Sequence, residues 1–178
     1  MNPIAIIEKY YSAQPELQQL LLTHSTSVAK RALSISRAHP ELGLDEDFLW
    51  EAAMLHDIGI VRTDAPAILC FGTEPYICHG FIGAEMMRRE GFPRHALVCE
   101  RHTGTGLTLQ QIATSGWPLP QRDMQPVTME EQVVCYADKF YSKTRLDHEK
   151  SVDEAQHSLM KFGEAGIAKF NHWHELFG

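Results

Sequence analysis

The sequence predicts an all-α fold, a single bundle of about six to nine helices. Three observations carry this expectation. Apolar residues recur at the i, i+3, i+4 and i+7 spacing of amphipathic helices. Alternating strand patterns are scarce. Capping signals and Gly or Pro breakers divide the helical runs at short intervals. At 178 residues the chain suits one domain over 1–178, with a core at about 20–145 and a C-terminal helix at about 151–176 packed on it.

Each element has its own signal. A first helix is expected over Pro3 to Ser12, and a second from Glu16 to Ala38, stopped ahead of Pro40. Asp45 can cap a third, which carries Phe48, Leu49, Ala52, Ala53 and His56 and ends near Gly59. Residues 60–76, with Pro66, Gly72 and Pro75, read as a loop. A fourth helix runs from Cys78 to Glu90, and a fifth from Pro93 to His102. The breakers Gly116, Pro118, Pro120 and Pro126 mark 103–127 as turn-rich, with a short helix at Leu109 to Thr114. Trp117 to Pro126 is long and turn-rich enough to serve as a lid, and equally fits a static surface loop. Thr128 to Glu131 reads as a capping box opening a helix to Lys143, and Ser151 to Glu154 as another opening the final helix.

Composition narrows the function. A net charge of −7 argues against a nucleic-acid polymer as partner, because an acidic surface repels phosphate. A small anion remains compatible if cations gather in one cleft. No apolar run approaches the roughly 20 residues of a membrane span. The first residues lack a signal-peptide layout, and Cys70, Cys78, Cys99 and Cys135 form no CxxC pair. The expectation is a cytoplasmic protein with reduced cysteines in its core, a monomer or homodimer.

The histidines sit on unexpected faces. His24 shares a stripe with Leu17, Leu20, Leu21 and Val28, and His56 with Leu49, Ala52 and Ala53. His79 aligns with Ile82, Gly83 and Met86, His102 follows Val98 and Cys99, and Asp138 interrupts an apolar run. Any one of these could be a hydrogen-bonded core residue. Together they place four imidazoles, with Asp57 and Asp138, at core-facing positions of five helices. Burying an unpaired carboxylate costs several kcal/mol, and a cation is the usual remedy. Mixed imidazole and carboxylate ligands suit Fe, Mn, Zn or Co. Six ligands are too many for one catalytic ion and about right for two that share a carboxylate. His39, His95, His148, His157, His172 and His174 read as solvated.

His24, His56-Asp57-Ile58-Gly59 and Asp138 resemble the HD superfamily of metal-dependent phosphohydrolases in its HDIG form. His79-Gly80-Phe81-Ile82-Gly83-Ala84 is similar to the segment bearing the extra histidine of two-metal members. Arg101-His102-Thr103-Gly104 and Tyr136-Ala137-Asp138-Lys139 look like the later motifs. The chain is similar to small stand-alone HDIG proteins related to the bacterial diadenosine tetraphosphate hydrolases. The resemblance covers roughly residues 20–145. It implies an HD-type helical bundle in which one ion is held by His24, His56, Asp57 and Asp138. It implies a second ion held by Asp57, His79 and His102. Asp57 and a water or hydroxide would bridge them. Members that cleave cyclic dinucleotides carry Lys directly after HDIG, and a Gly-Tyr-Pro motif. Here Ile60 stands after Gly59 and the triplet is missing, which argues against that substrate.

The expected activity is hydrolysis of a phosphoester or phosphoanhydride of a nucleotide or related small phosphate. The expected cofactors are two divalent ions, iron foremost, with Mn, Zn, Co, Ni or Mg as the others. Catalysis is assigned to Asp57, Arg62 and Lys139. Substrate contacts are assigned to Arg62, Arg101, Thr103, Thr105 and Lys139. Two rivals use the same ligands: a di-iron oxygenase acting on a polyol or phosphonate, and a non-catalytic nucleotide-binding module.

Overall fold

The computed structural model describes residues 1–178 and contains nine α-helices. Helix α1 (Pro3–Tyr11) is capped by the Asn2 side chain, which accepts from Ala5 N–H. Helix α2 (Pro15–Ala38) buries Leu17, Leu21, His24, Val28 and Ala32 along one stripe. Helix α3 (Glu46–Leu55) is capped by Asp45, which accepts from Phe48 N–H at 3.0 Å. Helices α4 (His79–Arg89) and α5 (Pro93–Arg101) form a tight pair. Then come the short α6 (Leu109–Ser115), α7 (Met129–Asp138), α8 (Val152–Leu159) and α9 (Glu164–Phe177). One core of 37 buried residues runs from Ile6 to Phe177 and is shared by the first and last helices.

Small strands interrupt the bundle in two places. The segment expected as a plain loop holds β1 (Thr63–Ala65), β2 (Cys70–Phe71) and β3 (Glu74–Pro75), ordered β2-β1-β3. The first pair is antiparallel and the second parallel. Helix α7 ends at Asp138, five residues before the expected Lys143. The chain then turns into the antiparallel pair β4 (Tyr141–Ser142) and β5 (Arg145–Glu149), which puts Lys143 in the turn. The C-terminal helix is likewise two helices. A 3-10 turn over Met160–Phe162 and Gly163, at φ +89°, separate α8 from α9, because that backbone region favours glycine.

Caps explain most boundaries. Ser151 and Glu154 form the expected reciprocal capping box of α8. At α7 only half of it forms. Thr128 accepts from Glu131 N–H, but the Glu131 carboxylate reaches Val127 N–H at 2.8 Å and pairs with Arg101. Thr108 and Gln111 form a further box at α6 that the sequence reading missed. Helix α3 stops at Leu55, and a 3-10 turn follows over Ile58–Arg62. Gly59 in that turn is set against α4 so closely that a Cβ would lie 2.1 Å from His79 O and 2.4 Å from Gly83 N. Gly80 meets α5 in the same way, with Cys99 O 2.6 Å from its Cβ position.

The segment 103–127 is packed down. Leu107 bridges to Met124, and both join Cys78, Ile112 and Leu119 in a second, smaller core. Arg122 pairs with Glu100. Of the two readings of Trp117 to Pro126, lid or static loop, the packing favours the static loop, because its apolar side chains hold it to α4 and α6. All four cysteines are free and buried.

Candidate metal centre

Five of the six sequence-predicted ligands stand at helix ends. His56 is the C-cap of α3 and Asp57 follows it, His102 is the C-cap of α5, Asp138 is the last residue of α7, and His79 is the first of α4. Only His24 lies mid-helix, in α2. Three rings share one tether. Nδ1 of His56 lies 2.6 Å from Ala53 O, Nδ1 of His79 2.7 Å from Tyr76 O, and Nδ1 of His102 2.7 Å from Cys99 O. Each carbonyl belongs to the residue three positions back. An Nδ1–H donated to it leaves the Nε2 lone pair facing inward.

The inward atoms converge on Asp57. His24 Nε2 and His56 Nε2 lie 3.1 and 2.9 Å from its Oδ2, and 3.1 and 3.4 Å from Asp138 Oδ1. His79 Nε2 and His102 Nε2 both lie 3.4 Å from Asp57 Oδ1. The two oxygens of Asp57 thus face different partners. The structure brings together His24, His56, Asp57 and Asp138 as one group, and Asp57, His79 and His102 as another.

This donor set fits divalent ions. Asp57 is fully buried, and neither of its oxygens has a hydrogen-bond partner. Lys143 Nζ approaches Oδ2 at 2.5 Å, but outside hydrogen-bonding geometry. Nε2 of His79 faces Nε2 of His102 at 3.1 Å, so two acceptors oppose one another once both Nδ1 atoms carry the protons. Two imidazole acceptors set against Asp57 Oδ1, which has no hydrogen-bond partner, are costly in a buried site, and a shared cation relieves them. Six nitrogen and oxygen donors with no thiolate suit a hard or borderline divalent metal.

The protonation preferences follow from the same crowding. Burial pushes the Asp57 carboxyl up, but Lys143 and His56 outweigh it and hold it well below the carboxylate range. Asp138 is likewise raised by burial and held well below by Lys139 and His24. Burial lowers His79 to about 3 and also lowers His102. His56 is the exception at about 9: burial opposes its charge, but Asp57 and Asp138 prevail. A proton there takes the place that a cation would hold between two carboxylates.

A cavity of about 390 Å³ opens on the cluster, with His79, His102 and Asp138 at its floor. Four lysines line it, Lys139, Lys143, Lys150 and Lys161, against Asp138 as the one carboxylate. In a chain of net charge −7 this is the concentration of cations that a small anion requires. Lys139 Nζ lies 2.7 Å from Asp138 Oδ2 and donates to His102 O. Lys139 directly follows the last residue of α7 and lines the cavity. Thr103 also lines the cavity.

Other expected contacts fall elsewhere. Arg62 is exposed on the outer face near Tyr10 and does not line the cavity, because the 3-10 turn after Gly59 directs it outward. Arg101 donates to both oxygens of Glu131 at 3.1 and 2.9 Å, behind the site. Thr105 is buried beside Gly166 and its carbonyl accepts from Lys169, so it too is outside the cavity. His95, read as solvated, is buried and pairs with Glu51 at 3.0 Å. Sequence reasoning missed Lys143, Lys150, Lys161 and Tyr76, whose ring stacks on His79 at 4.6 Å between centroids. Lys143 and Lys161 fall within helices that the periodicity predicts, and Lys150 in the connection between them; the signal against this is the aromatic and β-branched stretch Phe140 to Thr144, just after Asp138.

An uncharacterized protein of Methanocaldococcus jannaschii is 33% identical over 128 residues, spanning 70% of this chain and 68% of that protein. Proteins named tRNA (cytidine(56)-2'-O)-methyltransferase are also similar. That of Picrophilus torridus is 31% identical over 128 residues and that of Thermoplasma volcanium 29% over 153. The matched regions span 71% and 85% of this chain but only 33% and 40% of those longer proteins. No solved structure matches. The HD domain family matches residues 21–142, from the stripe around His24 to β4 beyond Asp138, and so includes every residue of the buried cluster. By that match, and by a His/Asp cluster compatible with divalent metal, the chain belongs to the HD domain family.

Proposed function

We propose that this chain is a metal-dependent phosphohydrolase, of the HDIG kind, acting on a phosphoester or phosphoanhydride of a nucleotide or related small molecule. The observation that carries the reading is the lysine-lined cavity opening directly onto the buried His/Asp cluster. His24, His56, Asp57 and Asp138 would hold one divalent ion, and Asp57, His79 and His102 the other. Such ions supply Lewis-acid polarisation of a phosphoryl oxygen and acidify a water.

The protein's own groups do the rest. The carbonyl tethers on His56, His79 and His102 fix the rings, so little reorganisation is needed when charge develops. Lys139 and Lys143 place ammonium groups beside the cluster, where they can neutralise a phosphoryl group. Thr103 adds a hydroxyl at the same wall. Ile68, Leu159 and Phe162 supply an apolar wall that limits water. The cavity volume lies near the lower end of small-molecule sites, about 300–1,000 Å³, and the acidic surface disfavours a polymeric nucleic acid. No helix is long and apolar enough to cross a membrane. A cytoplasmic monomer or homodimer is the working assignment.

The test is phosphate release. Protein of defined metal content would be screened with mono-, di- and dinucleotides in the presence of Mn²⁺, Fe²⁺ or Zn²⁺. Release that depends on metal supports the proposal. No release from any substrate with both sites loaded sinks it, and oxygen consumption instead would point to oxygenase chemistry.

A further inference from the structure

The four cavity lysines divide into two pairs. The inner pair is already matched with acid: Lys139 lies 2.7 Å from Asp138 and Lys143 2.5 Å from Asp57. The outer pair is not. Lys150 Nζ meets only a neutral group, Lys139 O at 3.3 Å, and Lys161 lies over the Phe162 ring. No carboxylate comes within 4.0 Å of either ammonium. They reach the cavity from separate elements, Lys150 from the end of β5 and Lys161 from the 3-10 turn before α9.

Position and surroundings give this outer pair a purpose. Lys150 is pinned at its backbone, since its N–H donates to Phe140 O at 2.8 Å, and its side chain is half-buried. Burial works against its charge, and although Asp138 favours it, the neighbouring Lys139, Lys143 and Lys161 add to the opposition. A cation held under such pressure gains from an anion brought to it. Thr144 and Ser158 line the same cavity and carry hydroxyls. Ile68, Leu159 and Phe162 also line the cavity and are suited to an uncharged spacer.

We propose that Lys150 and Lys161 form a distal phosphate subsite, so that the substrate carries a second phosphate group apart from the one at the metal centre. The inference rests on the phosphohydrolase reading and adds the substrate class: a small molecule phosphorylated at two separate positions. The subsite selects it by charge at both ends of the cavity.

Phosphonates test this without turnover, because their P–C bond is not hydrolysed. Metal-loaded protein is titrated calorimetrically with alkane-diyl bisphosphonates of increasing spacer length and with the matching monophosphonates. At the best length the bisphosphonate binds about tenfold or more tightly than its monophosphonate. Lys150→Gln combined with Lys161→Gln brings that ratio toward one, and Lys161→Gln alone, at an exposed position, lowers it partway. Lys9→Gln, a remote surface lysine paired with Glu90, leaves the ratio as it is. Equal binding of mono- and bisphosphonates at every length overturns the subsite, as does a ratio unchanged in both variants. Failure of phosphate release in the nucleotide screen overturns the hydrolase reading and leaves this ratio to be judged by itself.

Discussion

Replacing Gly59 with Ala tests how the short 3-10 turn holds the metal centre. The added Cβ would lie 2.1 Å from His79 O and 2.4 Å from Gly83 N, both backbone atoms of α4. Real Cβ contacts essentially never fall under 3.0 Å, so α4 must retreat by at least 3.0 − 2.1 = 0.9 Å at His79. Overpacking of this kind costs about 1–3 kcal/mol. For a chain of this size that lowers Tm by about 2–12 °C. The larger effect is on function, because His79 is both the residue displaced and an Nε2 donor aimed at Asp57. A shift near 1 Å at a reacting site costs on the order of 100-fold in rate. The assays are thermal unfolding, metal content per chain and phosphate release, all on the same preparation. A Gly59→Ala protein with unchanged Tm, full metal content and undiminished turnover would refute the close-packing argument.

Four further outcomes are expected. Asp57→Ala removes the one carboxylate shared by both groups, so metal content falls toward zero and phosphate release is lost; retention of a full complement of metal would contradict the shared role. Arg101→Gln breaks a largely buried pair with Glu131, destabilising the fold by about 1–3 kcal/mol while KM for substrate stays put, and a raised KM would return Arg101 to the binding site. His95 is lowered from its usual value chiefly by burial, against the pull of Glu51, so the unfolded chain binds the extra proton first. Its contribution is therefore full above about pH 6.5 and is lost as pH falls through the lower folded value; His95→Gln should flatten that part of the Tm-against-pH curve, and an identical slope in both proteins would count against it. Ser151→Ala removes the α8 capping box and lowers stability by about 1 kcal/mol, read as a Tm drop of a few degrees, with no change in metal content.

The helical core was readable because period and burial agree. The stripe Leu17, Leu20, Leu21, His24 and Val28 is buried along α2 as its spacing implies. The cluster was readable for the same reason: a histidine on an apolar stripe faces inward, and four of them converge there with Asp57 and Asp138. Helix ends were less legible. Only the stretch Phe140 to Thr144 hints locally that α7 stops at Asp138, and the hairpin that follows is fixed by pairing such as Lys150 N–H to Phe140 O. That boundary hid Lys143, and the break between α8 and α9 hid Lys161, since both would have faced solvent on longer helices; Lys150 lay in the connection between the two expected helices. Arg62 and Arg101 failed for the opposite reason. Closeness in sequence to Gly59 and His102 suggested closeness to the site, but one residue of helical rotation turns a side chain by about 100°.

The placement of ligands at helix ends has an electrical consequence. The C-termini of α3 and α7 both point at the group formed by His24, His56, Asp57 and Asp138. Each carries the partial negative charge of its unpaired carbonyls, worth about 0.3–1 kcal/mol to a cation. The group formed by Asp57, His79 and His102 instead meets the C-terminus of α5 and the N-terminus of α4, whose fields oppose one another. It also has one carboxylate fewer. The peptide dipoles and the formal charges thus rank the two positions in the same order. Metal added to stripped protein should fill them in sequence, the first tightly and the second at higher concentration. A single step with a stoichiometry of two would show that the backbone field has no such influence.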